Sequence, residues 1–459
     1  MSPLSYSGNL TSPLLLSSLS QRPLRCAVLG AGFAGLSVAW HLLKESPKDL
    51  HLHIDLYDEM GIGGGASGVS GGLLHPYSPK VKLLWRGAEC WKECLKLLSI
   101  AEHAVSSEEN LVSESGEFDH GFLVRRRGIL RPATNMKTLN VLNDNAQNCL
   151  DSCKINIIDK NAAQKLVPHI HMPFNLAFYM PEAVNVNSQY YLKALFLACQ
   201  NLVKDFPSSG FGKKNLCLQK RSVCTLHELE GKRALLDMHV HTTAIAIPFH
   251  SSEPNELLIY ACICALGEYD AVIICLGAKA DLLPELAGKL PLRTCRGVIL
   301  HLQLPDNIGE DYPDHGPSIL SDAWLAIKGN RSLYLGSTWE WKSRNSSPNV
   351  SSDEASDALQ ELLPKASAIY PGITNWSFAG ARAGLRAMPP LTAHGSLPLM
   401  GCVNNILVND LKCKYWLLGG LGSRGLLYHG WLGKLTAEAV LSCNEQIIPS
   451  ELTSWKNKR

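Results

Sequence analysis

One set of residues in this chain is placed to do chemistry with backbone alone. Gly30, Gly32 and Gly35 fall in "CAVLGAGFAGLSVAWHLLKE", which starts at Cys26. The pattern predicts a short apolar strand, a tight turn and an amphipathic helix. In that setting Gly30 permits the turn, Gly32 lets the backbone approach a pyrophosphate, and Gly35 lets helix and strand pack closely. The turn through Ala31, Phe33 and Ala34 then presents free N–H groups and the positive end of a helix dipole to phosphates. The next strand, in "LHLHIDLYDE", ends at Asp58 with Glu59 beside it. An acid there accepts hydrogen bonds from ribose hydroxyls, which selects FAD or NAD over a cofactor with a phosphorylated ribose.

A second glycine run, "GIGGGASGVSGGLLHP", follows at once. An NAD-type unit normally enters another helix at this point. Each glycine inside a helix costs about 1 kcal/mol, so this run is expected not to form a stable one. From Ala66 to Gly72 it can instead lay bare backbone and the Ser67 hydroxyl along a long, bent cofactor. Backbone N–H groups at Gly72, Leu73 and Leu74 can then meet a flavin edge. The two runs together point to FAD.

The elements that must hold these residues are spread along the whole chain. It has 459 residues, 46% of them apolar and 18% charged, which suits a globular chain with a large core. The net charge of +2 gives no global field to draw in nucleic acid, although Arg125–Arg127 and Lys213–Lys214 are local basic runs. Fifteen cysteines occur without any C-x-x-C, so reduced thiols and no metal site are expected. Residues 1–24 are Ser-rich and free of acid, and the first acid is Glu45. That composition predicts a transit peptide, for a plastid ahead of a mitochondrion, with a cytoplasmic location as the alternative. Its one apolar run is too short to span a membrane.

"DEMGIGGGASGVSGGLLHPYSPK", "GLGSRGL" at 420–426 and "YDAVIICLGAKA" carry a family likeness. The chain resembles the FAD-dependent amine and amino-acid oxidases of the D-amino-acid oxidase superfamily over nearly all its length after residue 25. Within that group it looks most like the C-terminal oxidase domain of the bacterial bifunctional tRNA methylaminomethyl-thiouridine biosynthesis protein. The resemblance implies an α/β (α+β) fold: a Rossmann-type FAD-binding domain from 25–90, 185–290 and 380–459, with an interleaved, largely antiparallel substrate domain from 91–184 and 291–379. It gives Gly277 a place beside the cofactor and Val223 a backbone contact to adenine. It also gives the turn Gly422, Ser423, Arg424, Gly425 and Leu426 a place at the flavin, where a helix N-terminus stabilises developing negative charge.

The segment "AGARAGLRAMPPLTAHGSLPLMG" resembles glycine oxidase, in which the arginine of G-L-R grips the substrate carboxylate. That role falls to Arg386, with Arg382 second; a planar guanidinium meets a carboxylate with two parallel hydrogen bonds. One departure is Gly395–Ser396 before the Leu397–Pro398 step, where related enzymes often carry an acid. His75, Tyr77, Tyr179 and Trp339 are further candidate pocket liners. The implied activity is FAD-dependent oxidation of a CH–NH donor with molecular oxygen as acceptor. The closest resemblance makes the substrate the carboxymethylamino group of a modified tRNA wobble uridine, losing glyoxylate. The alternatives are a small-molecule oxidase acting on glycine, sarcosine or a D-amino acid, and a flavoprotein assembly factor without turnover.

Overall fold

The computed structural model describes residues 22–107, 122–134, 136–205, 212–229, 268–407 and 413–457. The expected leader lies outside these up to residue 21. Two sheets organise the described residues.

The first sheet has six strands in the order Leu399–Cys402, Lys414–Gly419, Ala271–Ile274, Leu24–Leu29, Leu52–Tyr57, Lys214–Gln219. All neighbours are parallel except the outermost, Leu399–Cys402. The run "LRCAVL" is apolar without alternation because both faces of this sheet are covered. Cys26 and Val28 join one core with Ile54 and Leu56, while Ala27 and Leu29 join another with Val272, Ile274 and Leu417. Helices Phe33–Glu45, Ser188–Lys204 and Gly425–Ser442 pack against one another on the first of these faces. Ser188–Lys204 starts where Asn187 accepts a hydrogen bond from Tyr190 N (3.2 Å), a side-chain N-cap.

The second sheet has nine strands and is antiparallel apart from one parallel pair, Ser318–Ile319 with Ile129–Pro132. Its long members are Arg293–Gln303 and Ser377–Met388, paired antiparallel along most of their length. Period-two alternation splits them cleanly. Val298, Leu300 and Leu302 enter a core with Leu362 and Ala366 of helix Ser352–Ser367. Gly297 and Ile299 face the opposite way, into a cavity between the sheets. The fold is thus mixed α/β, with one parallel and one antiparallel sheet, as expected.

Two expectations are corrected. The second glycine run does make one helical turn, Ala66–Val69. A single turn anchored by neighbours escapes the cost that glycine imposes on a longer, self-supporting helix. Strand Ser377–Met388 crosses the expected boundary at 380 and pairs wholly within the nine-stranded sheet, because its partner is Arg293–Gln303. All thirteen cysteines among the described residues are free thiols, and no described helix is long and apolar enough to cross a membrane.

Candidate active site

The cavity between the two sheets has a volume of about 1420 Å³, large enough for a dinucleotide and a second molecule. It is lined at one end by the C-terminal ends of the inner parallel strands, at Leu29, Tyr57, Cys275 and Leu418. Gly30 has φ +102° there, and a Cβ on it would lie 2.5 Å from Cys275 O. A Cβ on Gly35 would come 1.8 Å from Gly30 O, so strand and helix touch backbone to backbone. Phe33 N donates to Ser67 Oγ (3.1 Å), and a Cβ on Gly32 would meet that same hydroxyl at 2.7 Å. The first turn of the helix and the Ser67 hydroxyl therefore form a tight cradle of N–H and O–H groups in which Gly32 leaves no side chain in the way, which fits a pyrophosphate.

Beyond the cradle, Asp58 accepts hydrogen bonds from Ala31 N (2.8 Å) and Met60 N (2.9 Å). Burial raises its pKa, and these backbone donors oppose the rise. Glu59 is ion-paired with Lys279, which holds its carboxyl below the usual range. Asp58, Glu59, Val223, Gly277 and Lys279 all line this end, and carboxylates beside a small apolar wall fit an adenosine. Ala66, Ser67, Gly72 and Leu73, and Gly422, Ser423, Arg424, Gly425 and Leu426, line the cavity as well. Glycine-bared backbone together with a helix start fits a flat, electron-accepting ring. The residues present therefore fit FAD from end to end.

Four expected site residues do not line the cavity. Ala31 acts through its N–H on Asp58, and Gly35 acts through close packing. Leu74 is buried in the core, 1% exposed. Arg382 is exposed to solvent. It shares a strand face with Arg386, but four residues of strand carry it about 13 Å further along, past the rim. Of the other candidate liners, His75 and Trp339 line the cavity, whereas Tyr77 and Tyr179 do not. Tyr77 is buried and accepts from Leu150 N (2.9 Å), and Tyr179 OH donates to Arg127 O (3.3 Å).

Arg386 stands on the substrate side. Its Nη2 donates to Thr338 O (2.8 Å), while Nε to Cys295 O and Nη1 to Ser337 Oγ are both 3.4 Å. The guanidinium packs 4.1 Å from the Trp339 ring centre. Space for it exists because residue 297 is glycine; a Cβ there would lie 2.2 Å from Nη2. Burial lowers its pKa, and Cys295 beside it pushes the other way. Nη2 also reaches Cys295 Sγ at 3.8 Å, so there is one firm anchor and three long contacts. One Nη1 hydrogen is uncommitted, and the long contacts are weak enough to exchange for a carboxylate at about 2.8 Å.

Sequence reasoning missed several liners. Arg131, Asp322 and Trp324 come from strands of the nine-stranded sheet and their connections. The Trp324 ring lies over Gly71 and Gly336, where added Cβ atoms would come within 2.3 and 2.4 Å of it. Burial lowers the pKa of Arg424, Tyr428 opposes the fall and Arg131 adds to it; burial also lowers that of Arg131, against Asp322. Burial first, then Arg424 and Arg131, push His75 down to about 3, so it is neutral. Tyr77 N donates to His75 Nδ1 (3.3 Å), which puts the proton on Nε2. Elsewhere, His53, Asp55 and Cys217 bring ligand atoms within 4.8 Å of one another. Asn215 Nδ2 and Tyr269 OH already engage His53 and Asp55, so this is a hydrogen-bond network.

The sequence matches the family described as DAO, FAD dependent oxidoreductase, over residues 25–206 and 251–439. Among solved structures it is similar to iminodiacetate oxidase from Chelativorans sp. BNC1, at 18% identity and TM-score 0.60, covering 93% of this chain and 98% of that one. It is similar to glycine oxidase from Geobacillus kaustophilus, at 16% identity and TM-score 0.64, covering 94% and 98%. It is also similar to L-proline dehydrogenase from P. horikoshii, at 15% identity and TM-score 0.64, covering 95% and 98%. No curated protein matches the chain.

Proposed function

The chain belongs to the FAD-dependent oxidoreductase family, and from that premise we propose that it oxidises a secondary amine carrying a carboxymethyl group, the carboxymethylaminomethyl side chain of a tRNA wobble uridine. The observation that carries this reading is Arg386, a half-buried guanidinium lining the cavity with donors left for a carboxylate. Support for the RNA-borne substrate comes from the sequence likeness at "DEMGIGGGASGVSGGLLHPYSPK" and "GLGSRGL".

When bound, FAD supplies the two-electron acceptor for the C–H bond next to nitrogen, with molecular oxygen as the final acceptor. The protein's own residues do the positioning. Arg386 clamps the carboxylate and fixes the rotation of the adjacent methylene. Arg131, Arg386 and Arg424 are cations lining the cavity, with Asp322 beside Arg131 offsetting part of their charge. Their field lowers the pKa of a bound amine and favours the neutral form, whose lone pair must be free for oxidation. His75, neutral and buried, adds no further charge. Water then hydrolyses the imine, releasing glyoxylate and leaving a primary amine on the uridine.

The second reading, a small amino-acid oxidase, has one observation in its favour. Two arginines of the basic run are already engaged: Arg126 forms a two-pronged pair with Glu102 (2.6 and 2.7 Å), and Arg125 donates to Gly316 O and Asp314 O (2.6 and 2.9 Å). The test is anaerobic mixing of the FAD-loaded protein with each amine while flavin absorbance is followed. RNA bearing carboxymethylaminomethyl uridine is expected to bleach the flavin and release glyoxylate. Bleaching by glycine or sarcosine alone moves the assignment to the second reading, and bleaching by none identifies a flavoprotein without turnover.

A further inference from the structure

The rim beside Arg386 is paved by two tryptophans that the fold leaves open. Trp339 is 47% and Trp341 44% exposed. Their rings are stacked, with centroids 5.9 Å apart and planes 27° from parallel. The centroid distance is well above the contact spacing of fully overlapped rings, so the rings are offset, and the exposure that remains is aromatic surface beside each ring's guanidinium neighbour. Trp341 is held in place by the short strand Glu340–Trp341, which pairs with Cys295 and Arg296. Arg293, on the same strand face as Cys295, sets its guanidinium 5.0 Å from the Trp341 ring centre. Arg386, Trp339, Trp341 and Arg293 therefore form one continuous ladder. Arg386 and Trp339 line the cavity, and Trp341 and Arg293 carry the ladder outside it.

Lys342 and Arg344 follow Trp341 in the sequence and Arg293 packs on its ring, while Glu340, Glu354, Asp357 and Glu361 line a separate recess beside the same segment. Arg344 and Asn345 also line the cavity. Burying two large aromatic rings is worth several kcal/mol to a fold in general, and this one instead holds them in water, ordered and flanked by cations. Stacked aromatic faces with guanidinium groups alongside are what a splayed-out base and its phosphates recognise.

We propose that the Trp339–Trp341 pair is a stacking platform for a nucleobase of single-stranded RNA, placed so that an amine on or next to that base reaches Arg386. This rests on the reading of the cavity as a site for a uridine-borne amine, and it names what holds the uridine's strand. Glycine and sarcosine have no planar ring to offer the platform.

Trp341 is the residue to test, because Trp339 also packs on Arg386 and its loss disturbs the carboxylate clamp. The FAD-loaded protein is titrated into end-labelled heptauridylate at about 150 mM salt while anisotropy is read. A heptamer of abasic sugar-phosphates with the same charge is the control. Saturable binding of heptauridylate is expected, with the abasic strand at least about tenfold weaker. Trp341→Leu should weaken heptauridylate binding by roughly tenfold, while Trp341→Phe, which keeps an aromatic face, recovers most of it. Equal binding of the two strands, no saturable binding, or a Trp341→Leu protein that binds like wild type overturns the platform. If Trp341→Leu loses its flavin, the abasic strand and Trp341→Phe still decide. No turnover is needed, so a chain that oxidises nothing can pass this test. A chain that oxidises the uridine-borne amine yet ignores the bases fails it alone.

Discussion

The two walls of the cavity are made in different ways. The cofactor wall is built from backbone: glycine turns, a helix start and strand ends, with Ser67 and Asp58 as the main side chains touching the turn. The substrate wall is built from side chains, Arg131, Trp324 and Arg386 from strands distant in sequence and Trp339 from the connection before Glu340–Trp341. A backbone wall is intolerant, since an added atom displaces main chain. A side-chain wall can change its chemistry while the sheet behind it stays put. One fold can therefore keep its cofactor while its substrate varies.

The sharpest contrast is between glycines in the elements behind the two walls, neither of which lines the cavity itself. Gly35→Ala puts a Cβ 1.8 Å from Gly30 O, a backbone atom. Gly380→Ala, on the strand that carries Arg386, meets nothing within 4 Å. Gly35→Ala should cost several kcal/mol and yield little or no flavoprotein, whereas Gly380→Ala should purify with wild-type flavin content. Comparable flavin in the two variants breaks the comparison.

A smaller effect separates the walls by pH. His429 lies in the helix behind the cofactor wall. Tyr191 OH donates to its Nε2 (2.7 Å), and its Nδ1–H donates to Leu426 O (2.8 Å). Burial pushes its pKa down to about 4 from 6.5. Above about pH 6.5 both folded and unfolded chains hold it neutral, and it adds no pH dependence. As pH falls from there to about 4, the unfolded chain takes up the proton and the folded one does not, so stability falls. By pH 5 the loss from this residue is about 2 kcal/mol. Urea unfolding of the FAD-loaded protein at pH 7 and pH 5 should show that loss, and His429→Gln should reduce it.

The smallest expected effect concerns Arg382. It is exposed and beyond the rim, so Arg382→Ala should change kcat/KM less than about twofold, within the ordinary range for surface substitutions. A larger loss would place the rim further out along the strand.

How much was legible follows the same division. The glycine turn, Asp58 and the turn at 422–426 could be read because their geometry is local: a few consecutive residues fix the backbone. Arg386 was legible as a candidate but could not be separated from Arg382, since both share a strand face and only the position of the rim divides them. Arg131 and Trp324 were not legible, because pairing across several strands brings them to the cavity. The one trace of Arg131 in the sequence is a cation inside the apolar run "ILRP".

The central claim is that Arg386 grips a carboxylate next to an oxidisable amine. Stopped-flow flavin reduction tests it, with the carboxymethyl amine and its carboxamide analogue, in wild type and Arg386→Ala. In wild type the acid should be far the better reductant. In the variant, with FAD content unchanged, kcat/KM for the acid should fall roughly ten- to a hundredfold while the amide barely changes, the loss of a charge-assisted pair. Equal losses for acid and amide would contradict the account and make Arg386 a support for the fold or the flavin.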